Sequence, residues 1–323
     1  MCDTEAINSK QLRLWLQKNK RFCPKCSSQH TKKNGHFRSK QRFLCKDCGR
    51  QFLSKTRKDI LRKVLWKKYI WERQTAKQLA AKYGKSEKWI RQQLDQFQIK
   101  KKSVKARNVV IIADMTFVRR TFGVCVFRSP HLKKNLDWKM APTETATVYH
   151  ELRWQIERQG FEIQAAVIDG RPGIIDVFWD VPVQMCHFHQ IAIMTRYLTT
   201  RPKLPAGQIL RHIALRITKS NEDEMNGLLA DWYKQWHEFL KEKTYNPLTR
   251  RRFYTHKRLR SAYRSICRNL SILYTYQKYP ELSIPNTTNS LDGTFSHLKD
   301  MLRIHRGLSK RKKLKMIDEI LSK

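Results

Sequence analysis

Two acids in this chain each follow an apolar run that reads as a buried strand: Asp114 comes after VVIIA, and Asp169 after EIQAAVI. One such acid is accounted for by a turn or a helix cap, and Asp169 before Gly170 makes a reasonable turn by itself. Two of them, at the ends of parallel neighbouring strands, put two carboxylates on one rim of a sheet. In a strongly cationic protein that pairing points to hard oxygen ligands for a divalent metal ion. Two such ions activate a water or hydroxyl and stabilise the leaving oxygen in phosphodiester chemistry. They also answer an energetic question, because Asp114 is costly to bury unless a cation neutralises it. A third acid is available in TTNSLDGTFSHLKDMLRIHR, where Leu291, Phe295, Leu298 and Leu302 recur at helical spacing. Asp292 sits beside that apolar face, with Ser296, Lys299 and Arg303 on the same side.

A second chemistry belongs to cysteine. Cys23 and Cys26 form one CxxC knuckle, Cys45 and Cys48 another, and two knuckles complete a tetrahedron of thiolates around one structural Zn²⁺. The intervening GHFRSKQRFLC alternates like a small hairpin, so the unit reads as a zinc ribbon. His30 and His36 lie between the knuckles, but four thiolates already suffice. Lys32, Lys33, Arg38, Lys40 and Arg42 are available to phosphates or form a solvated face.

The elements that position these groups follow from the pattern. Leu61, Val64, Leu65 and Tyr69 mark one helix face; Thr75 caps a short helix with Leu79 and Ala80; Gly84 turns the chain; Ser86 caps a third helix with Ile90 and Leu94 inward. This is a helix-turn-helix pattern, and it directs Glu87, Lys88, Arg91 and Gln92 toward base edges or phosphates. A generic three-helix bundle is the alternative. KKKSVKAR, residues 100–107, is a basic linker. Beyond it NVVIIADMTF, FGVCVFRS and LDWKMAP read as three strands, TETATVYHELRWQIERQG as a helix capped by Thr143 or Thr145, EIQAAVIDG as a fourth strand and VPVQMC as a fifth. The hundred or so residues from His189 to Asp292 read as helices, with Leu228, Leu229, Trp232, Trp236 and Phe239 at core spacing. YTHKRLRSAYRSICRNL reads as a DNA-facing helix carrying His256, Lys257, Arg258, Arg260, Arg264 and Arg268 beside Leu259, Tyr263 and Ile266. RGLSKRKKLK near the end reads as a phosphate contact or a disordered tail.

Composition names the partner class. Among 323 residues, 67 Lys and Arg against 27 Asp and Glu leave a formal charge of +40, a self-repulsion that a polyanion relieves. No apolar run approaches the roughly 20 residues of a membrane span, and no signal peptide opens the chain, so the expected location is the cytoplasm or the nucleoid. In a reducing compartment the eight cysteines are expected as metal ligands or buried residues.

Taken together, IIADMTF, VIDGRPG, QMCHFHQ, YTHKRLRSAYRS and IPNTTNSLDGTFSHLK resemble the RNase H-like DDE transposases of bacterial insertion sequences, specifically the Mutator-like group with an N-terminal zinc ribbon. The resemblance runs from Cys23 to the C terminus. It implies that Asp114 and Asp169 are the first two acids binding two Mg²⁺ (or Mn²⁺) ions and Asp292 the third, where the family usually has Glu; Glu281 and Asp300 are fallback acids. Cys186 and His189 match the family's Cys, two residues, His pattern, with His189 or His187 beside the carboxylates and Cys186 packed. The implied fold is an α/β and α+β multidomain chain: zinc ribbon with an N-terminal helix (1–54), helix-turn-helix (55–99), linker (100–107), first part of an RNase H-like mixed sheet (108–198), all-helical insertion (199–284), then the core's C-terminal helix and a basic tail (285–323). The implied activity is hydrolysis at transposon ends in double-stranded DNA, followed by attack of the freed 3′-hydroxyl on target DNA, in a synapse of two ends held by a homodimer. A structure-specific nuclease of the same fold, or a DNA-binding regulator derived from an inactive transposase, are the competing readings.

Overall fold

The computed structural model describes residues 23–322, except 24, 27, 29, 39, 54–56, 100–103, 119–121 and 306, with only the backbone described at 57–60. The expected N-terminal helix lies outside the described residues. The chain divides into two compact units, residues 1–100 with 301–316, and residues 101–300 with 317–323.

In the first unit, β1 (Thr31–Phe37), β2 (Lys40–Cys45) and β3 (Gln51–Leu53) form an antiparallel sheet in that order. The expected hairpin thus gains a third strand, because the chain leaving the second knuckle places Phe52 opposite Phe43, with ring centroids 6.0 Å apart. Helices α1 (Arg57–Ile70), α2 (Ala76–Tyr83) and α3 (Glu87–Gln96) follow. Thr75 and Gln78 form a reciprocal capping box on α2, Gly84 ends it at φ +60, and the Ser86 hydroxyl accepts from the Trp89 N–H to start α3. Leu65, Tyr69, Leu79, Ile90 and Leu94 are buried, as the spacing predicts.

The second unit is built on a five-stranded sheet. β4 (Asn108–Val118), β5 (Phe122–Ser129) and β6 (Lys134–Ala141) are antiparallel; helix α4 (Ala146–Arg158) then leads to β7 (Glu162–Ile168), and β8 (Val183–Met185) precedes α5 (His187–Leu198). The order is β6-β5-β4-β7-β8, with β7 and β8 parallel to β4, which is the RNase H-like mixed sheet. Val109, Ile111 and Ala113 of β4 and Ile163, Ala166 and Ile168 of β7 share one core with Tyr149, Leu152 and Ile156 of α4.

Helices α6 (Pro205–Leu215), α7 (Glu222–Lys241) and α8 (Lys257–Leu273) build a second core with α5 around Met194, Leu210, Leu229, Trp232, Leu259 and Ile266. The interval is not wholly helical: β9 (Lys243–Asn246) and β10 (Arg251–Tyr254) form an antiparallel hairpin between α7 and α8. Its strands bury almost nothing, so they lack the apolar periodicity by which the other elements are recognised.

Two helices close the chain, α9 (Asn289–Ile304) and α10 (Lys310–Leu321), each divided between the units. Residues 310–315 of the basic segment expected as a phosphate contact or disordered tail are therefore helical, running into a stripe of Met316, Ile317, Ile320 and Leu321 that is buried. Lys315 of α10 donates to the Leu94 carbonyl at 2.7 Å and lies 4.6 Å over the Trp66 ring, which takes it out of the pool of free cations.

Trp232 is 2% exposed, donates its indole N–H to the Ala206 carbonyl at 3.0 Å and stacks on Tyr263, whereas Trp179 is 82% exposed. Trp232→Ala should cost about 3–5 kcal/mol in urea unfolding, and Trp179→Ala less than about 0.5 kcal/mol.

Candidate active site

Asp114 does not end its strand. The β4–β7 parallel ladder closes at Ile112 opposite Val167, but β4 continues along β5, pairing Asp114 with Val126 and running on to Val118. The antiparallel neighbour keeps the backbone extended after the parallel one has stopped. Asp169 directly follows Ile168, the last residue of β7. Two positions beyond the Ile112–Val167 pair, each strand has therefore reached its acid.

Burial raises the Asp114 carboxyl to about 6; His189 and the Met115 N–H, 2.7 Å from Oδ1, oppose the rise, while Asp169 and Glu144 add to it. Glu144 is a residue that the pattern of strands and helices did not single out. It stands just before Thr145, the first-turn cap position of α4, where an acid has the ordinary explanation of a helix dipole. Only its place in the short turn between the third strand and α4 could have marked it. Its side chain is 7% exposed, and burial, then the Asp169 charge, push its carboxyl up, against the Tyr149 hydroxyl, Arg171 and His189. Tyr149 donates to Oε1 at 2.7 Å.

Arg171 bridges the acids. Its Nη1 lies 2.8 Å from Glu144 Oε2 and its Nε 2.9 Å from Asp169 Oδ2, while its backbone N–H donates to Asp169 Oδ1 at 3.2 Å. Gly170 makes this turn at φ +81, a conformation that favours glycine, and a Cβ there would displace the Met185 side chain, whose Sδ would lie 2.4 Å away.

The CHFHQ phrase separates into three roles. Cys186 is buried at the start of α5, with Sγ 3.4 Å from the Thr288 hydroxyl and accepting from the Thr288 N–H at 3.3 Å. His187 is fully buried, with Nε2 2.7 Å from the Leu273 carbonyl, and belongs to the fold. His189 faces the acids: the Cys186 thiol, then Asp114 and Asp169, hold its pKa up at about 9.

Asp292 is exposed on the first turn of α9 and is not among the charges acting most strongly on Asp114 or Glu144. The chain entering α9 is nevertheless docked beside the acids, since Asn286 accepts from the His187 N–H at 3.0 Å and Thr288 meets Cys186. The fallback acids Glu281 and Asp300 are both exposed.

Among the described residues, Cys23, Cys26, Cys45 and Cys48 form the one group of three or more whose metal-ligating atoms all lie within 4.8 Å of one another. Cys23 and Cys48 sulfurs, and those of Cys26 and Cys45, are 3.5 Å apart. Zn–S bonds of about 2.3 Å in a tetrahedron require about 3.8 Å, so the four can hold a structural zinc. His30 pairs with Asp47 and His36 is exposed, both outside this group. Of the remaining cysteines described, Cys125 and Cys186 are buried, but Cys267 is exposed, against expectation.

The cations expected to meet DNA divide in the same way. Lys32, Lys33, Arg38 and Lys40 are exposed, while Arg42 donates to the Asn34 carbonyl at 2.9 Å and braces the ribbon. Lys88, Arg91 and Gln92 are exposed on α3, and Arg91 pairs with Glu87 at 2.9 Å. On α8, Lys257, Arg264 and Arg268 are exposed, whereas Arg258 donates to the Arg196 carbonyl and Arg260 to that of Leu240. No helix among the described residues is long and apolar enough to cross a membrane.

No family model matches the chain, and no curated protein matches it. Among solved structures it is similar to a chain of the Drosophila P element transposase strand transfer complex, at 14% identity and a TM-score of 0.32, over 86% of this chain and 79% of that one. It is also similar to a chain of the simian T-cell lymphotropic virus intasome in complex with PP2A regulatory subunit B56 gamma, at 13% identity and a TM-score of 0.20, over 62% of this chain and 68% of that one. At those scores the functional reading rests on the residues of this chain.

Two outcomes are expected. The raised His189 pKa means that the folded chain holds this proton more tightly than the unfolded one, so the group stabilises the fold fully below about 6.5 and ceases to as pH rises through about 9. His189→Asn should therefore lower the melting temperature of the metal-free protein at pH 6, and the gap to wild type should close above pH 9. Removing metal with a zinc-selective chelator should release about one zinc per chain and abolish protease resistance around residues 23–53, leaving the far-UV signal of the helices in place.

Proposed function

We propose that this chain is a DNA transposase of the DDE type found in bacterial insertion sequences, acting on phosphodiester bonds at transposon ends and then in target DNA. The single observation that carries this reading is that Asp114 and Asp169 each stand two residues past the last pair of the β4–β7 ladder, near enough to each other, to Glu144 and to His189 for their charges to act on one another. The donor set fits hard divalent cations: three carboxylates whose mutual repulsion a cation relieves, two of them already bridged by the cationic Arg171. Asp114, Asp169 and Glu144 would hold Mg²⁺ or Mn²⁺, two ions in all, with Asp292 reaching the rim from α9. Bound there, the ions supply activation of the attacking oxygen and charge stabilisation at phosphorus.

The chain's own residues do the rest. Tyr149 holds Glu144 through Oε1, which orients the other oxygen toward Arg171. His189, protonated at neutral pH, puts a positive charge beside the acids and is placed to meet a phosphate oxygen. Cys186 fastens the segment that leads into α9, and so fixes where Asp292 enters. Ribbon and helix-turn-helix would grip the element's ends, using Lys32, Lys33, Arg38, Lys88, Arg91 and Gln92, and Lys257 and Arg264 would follow the backbone near the site. Joining two ends requires a synapse, hence a homodimer, and such work places the protein on the nucleoid.

Cleavage of DNA flanking the gene, with Mg²⁺ or Mn²⁺, tests this reading. Asp114→Ala and Glu144→Gln should each lower the rate at least about a hundredfold, with end binding retained. Loss in Asp292→Ala as well would make it a ligand; full activity there would leave Glu144 as the third acid. Joining of pre-cleaved ends to a second DNA distinguishes a transposase from a nuclease. Binding without cutting by wild type under both metals would overturn the enzymatic reading.

A further inference from the structure

The hairpin between α7 and α8 has no role in the site described above. Its strands are exposed on both sides apart from the half-buried Asn246, although a two-stranded hairpin is marginal in water without a packed face. It is held at its base alone. The Thr255 N–H donates to the Glu242 carbonyl at 3.0 Å, Thr244 and Thr255 hydroxyls meet at 2.8 Å, and Arg260 lies 3.6 Å over the Tyr254 ring.

The tip is built to project one apolar side chain. Asn246 Oδ1 accepts from the N–H groups of Leu248 and Thr249, at 2.9 and 3.3 Å, fixing the loop in an Asx turn. Arg250 then reverses the chain at φ +50. Leu248 stands out of this loop 94% exposed, the most exposed of the large apolar side chains described. Behind it the register places Lys243, Tyr245, Arg252 and Tyr254 on one face of the ribbon, and Arg251 and Phe253 on the other. Tyr245 is 54% and Phe253 47% exposed.

We propose that this hairpin is a DNA wedge: Leu248 enters between base pairs of a bound duplex while Arg250, Arg251, Arg252 and Lys243 hold the flanking phosphates. Charge complementarity selects the occupant, since cations line both strands and the one acid at the base, Glu242, is engaged by His256 at 2.9 Å. An apolar side chain inserted at a step, with basic residues on the phosphates beside it, unstacks and kinks the duplex. The exposed tyrosines and Phe253 offer rings to an unstacked base. The inference rests on the reading of this chain as acting on DNA, and it adds a distortion of the duplex that the acids alone do not provide.

The test uses the full chain and a relaxed closed circular plasmid carrying the DNA that flanks the gene, treated with a type I topoisomerase in the presence of protein. Wild type should shift the topoisomer distribution, because an unstacked step changes twist. Leu248→Ser should abolish the shift while binding the plasmid within about twofold of wild type, and Leu248→Met should retain it. Arg251→Ala with Arg252→Ala should weaken binding and flatten its salt dependence. Leu248 packs against nothing, so circular dichroism of these variants should match wild type. Plasmid binding by wild type without a topoisomer shift, or an equal shift by Leu248→Ser, would overturn the wedge and leave the DNA reading standing. A concentration-dependent self-association that Leu248→Ser removes would assign the tip to a second copy of the chain and also overturn it. Failure of wild type to bind the plasmid at low salt would overturn the DNA reading, and the wedge with it.

Discussion

Negative charge buried at the centre of the second unit is the constraint on which the rest of the structure turns. Asp114 lies within a strand whose neighbours are almost all buried, and its carboxyl stands at about 6, burial being the largest cause. Glu144 and Asp169 worsen the position by repulsion. An apolar residue at 114 would relieve all of this and preserve the strand, so the acid costs stability, and the metal chemistry proposed above is what would account for it. The surroundings are arranged to tolerate it: His189 carries a proton beside the acids, and Arg171 spans two of them.

Placing those cations commits distant parts of the chain. His189 follows from the start of α5, which is fixed by His187 on the Leu273 carbonyl at the end of α8, nearly ninety residues away. Gln184 of β8 donates to the same carbonyl at 2.7 Å. The long interval of helices is thus bonded to β8 and to α5, the helix that carries His189. The Cys186–Thr288 contact does the same for α9, so the two residues of the Cys, two residues, His phrase act differently. One fastens an incoming helix, and the other adjusts the charge.

How much could be read from sequence depended on whether the signal was local. The zinc ribbon and the helix-turn-helix were legible because CxxC spacing, Thr75, Gly84 and Ser86 act within a few residues of themselves. Strand positions were legible for the same reason, but the end of β4 was not: it depends on β5, which keeps pairing for four residues past Asp114. Glu144 escaped because a helix N-terminus explains an acid there without any site. The β9–β10 hairpin escaped because it buries no periodic face, and the start of α10 read as a phosphate contact or tail because its five basic residues, Lys310 to Lys313 and Lys315, precede the four buried apolar residues that order it.

A crystal grown with Mn²⁺ and examined by anomalous scattering tests the central claim most directly, because it locates metal without requiring turnover or a known DNA end. The account predicts an anomalous peak ligated by Asp114 and Asp169, with Glu144 joining as Arg171 releases it. A site with no peak at saturating Mn²⁺, with Arg171 still bridging Glu144 and Asp169, would contradict it.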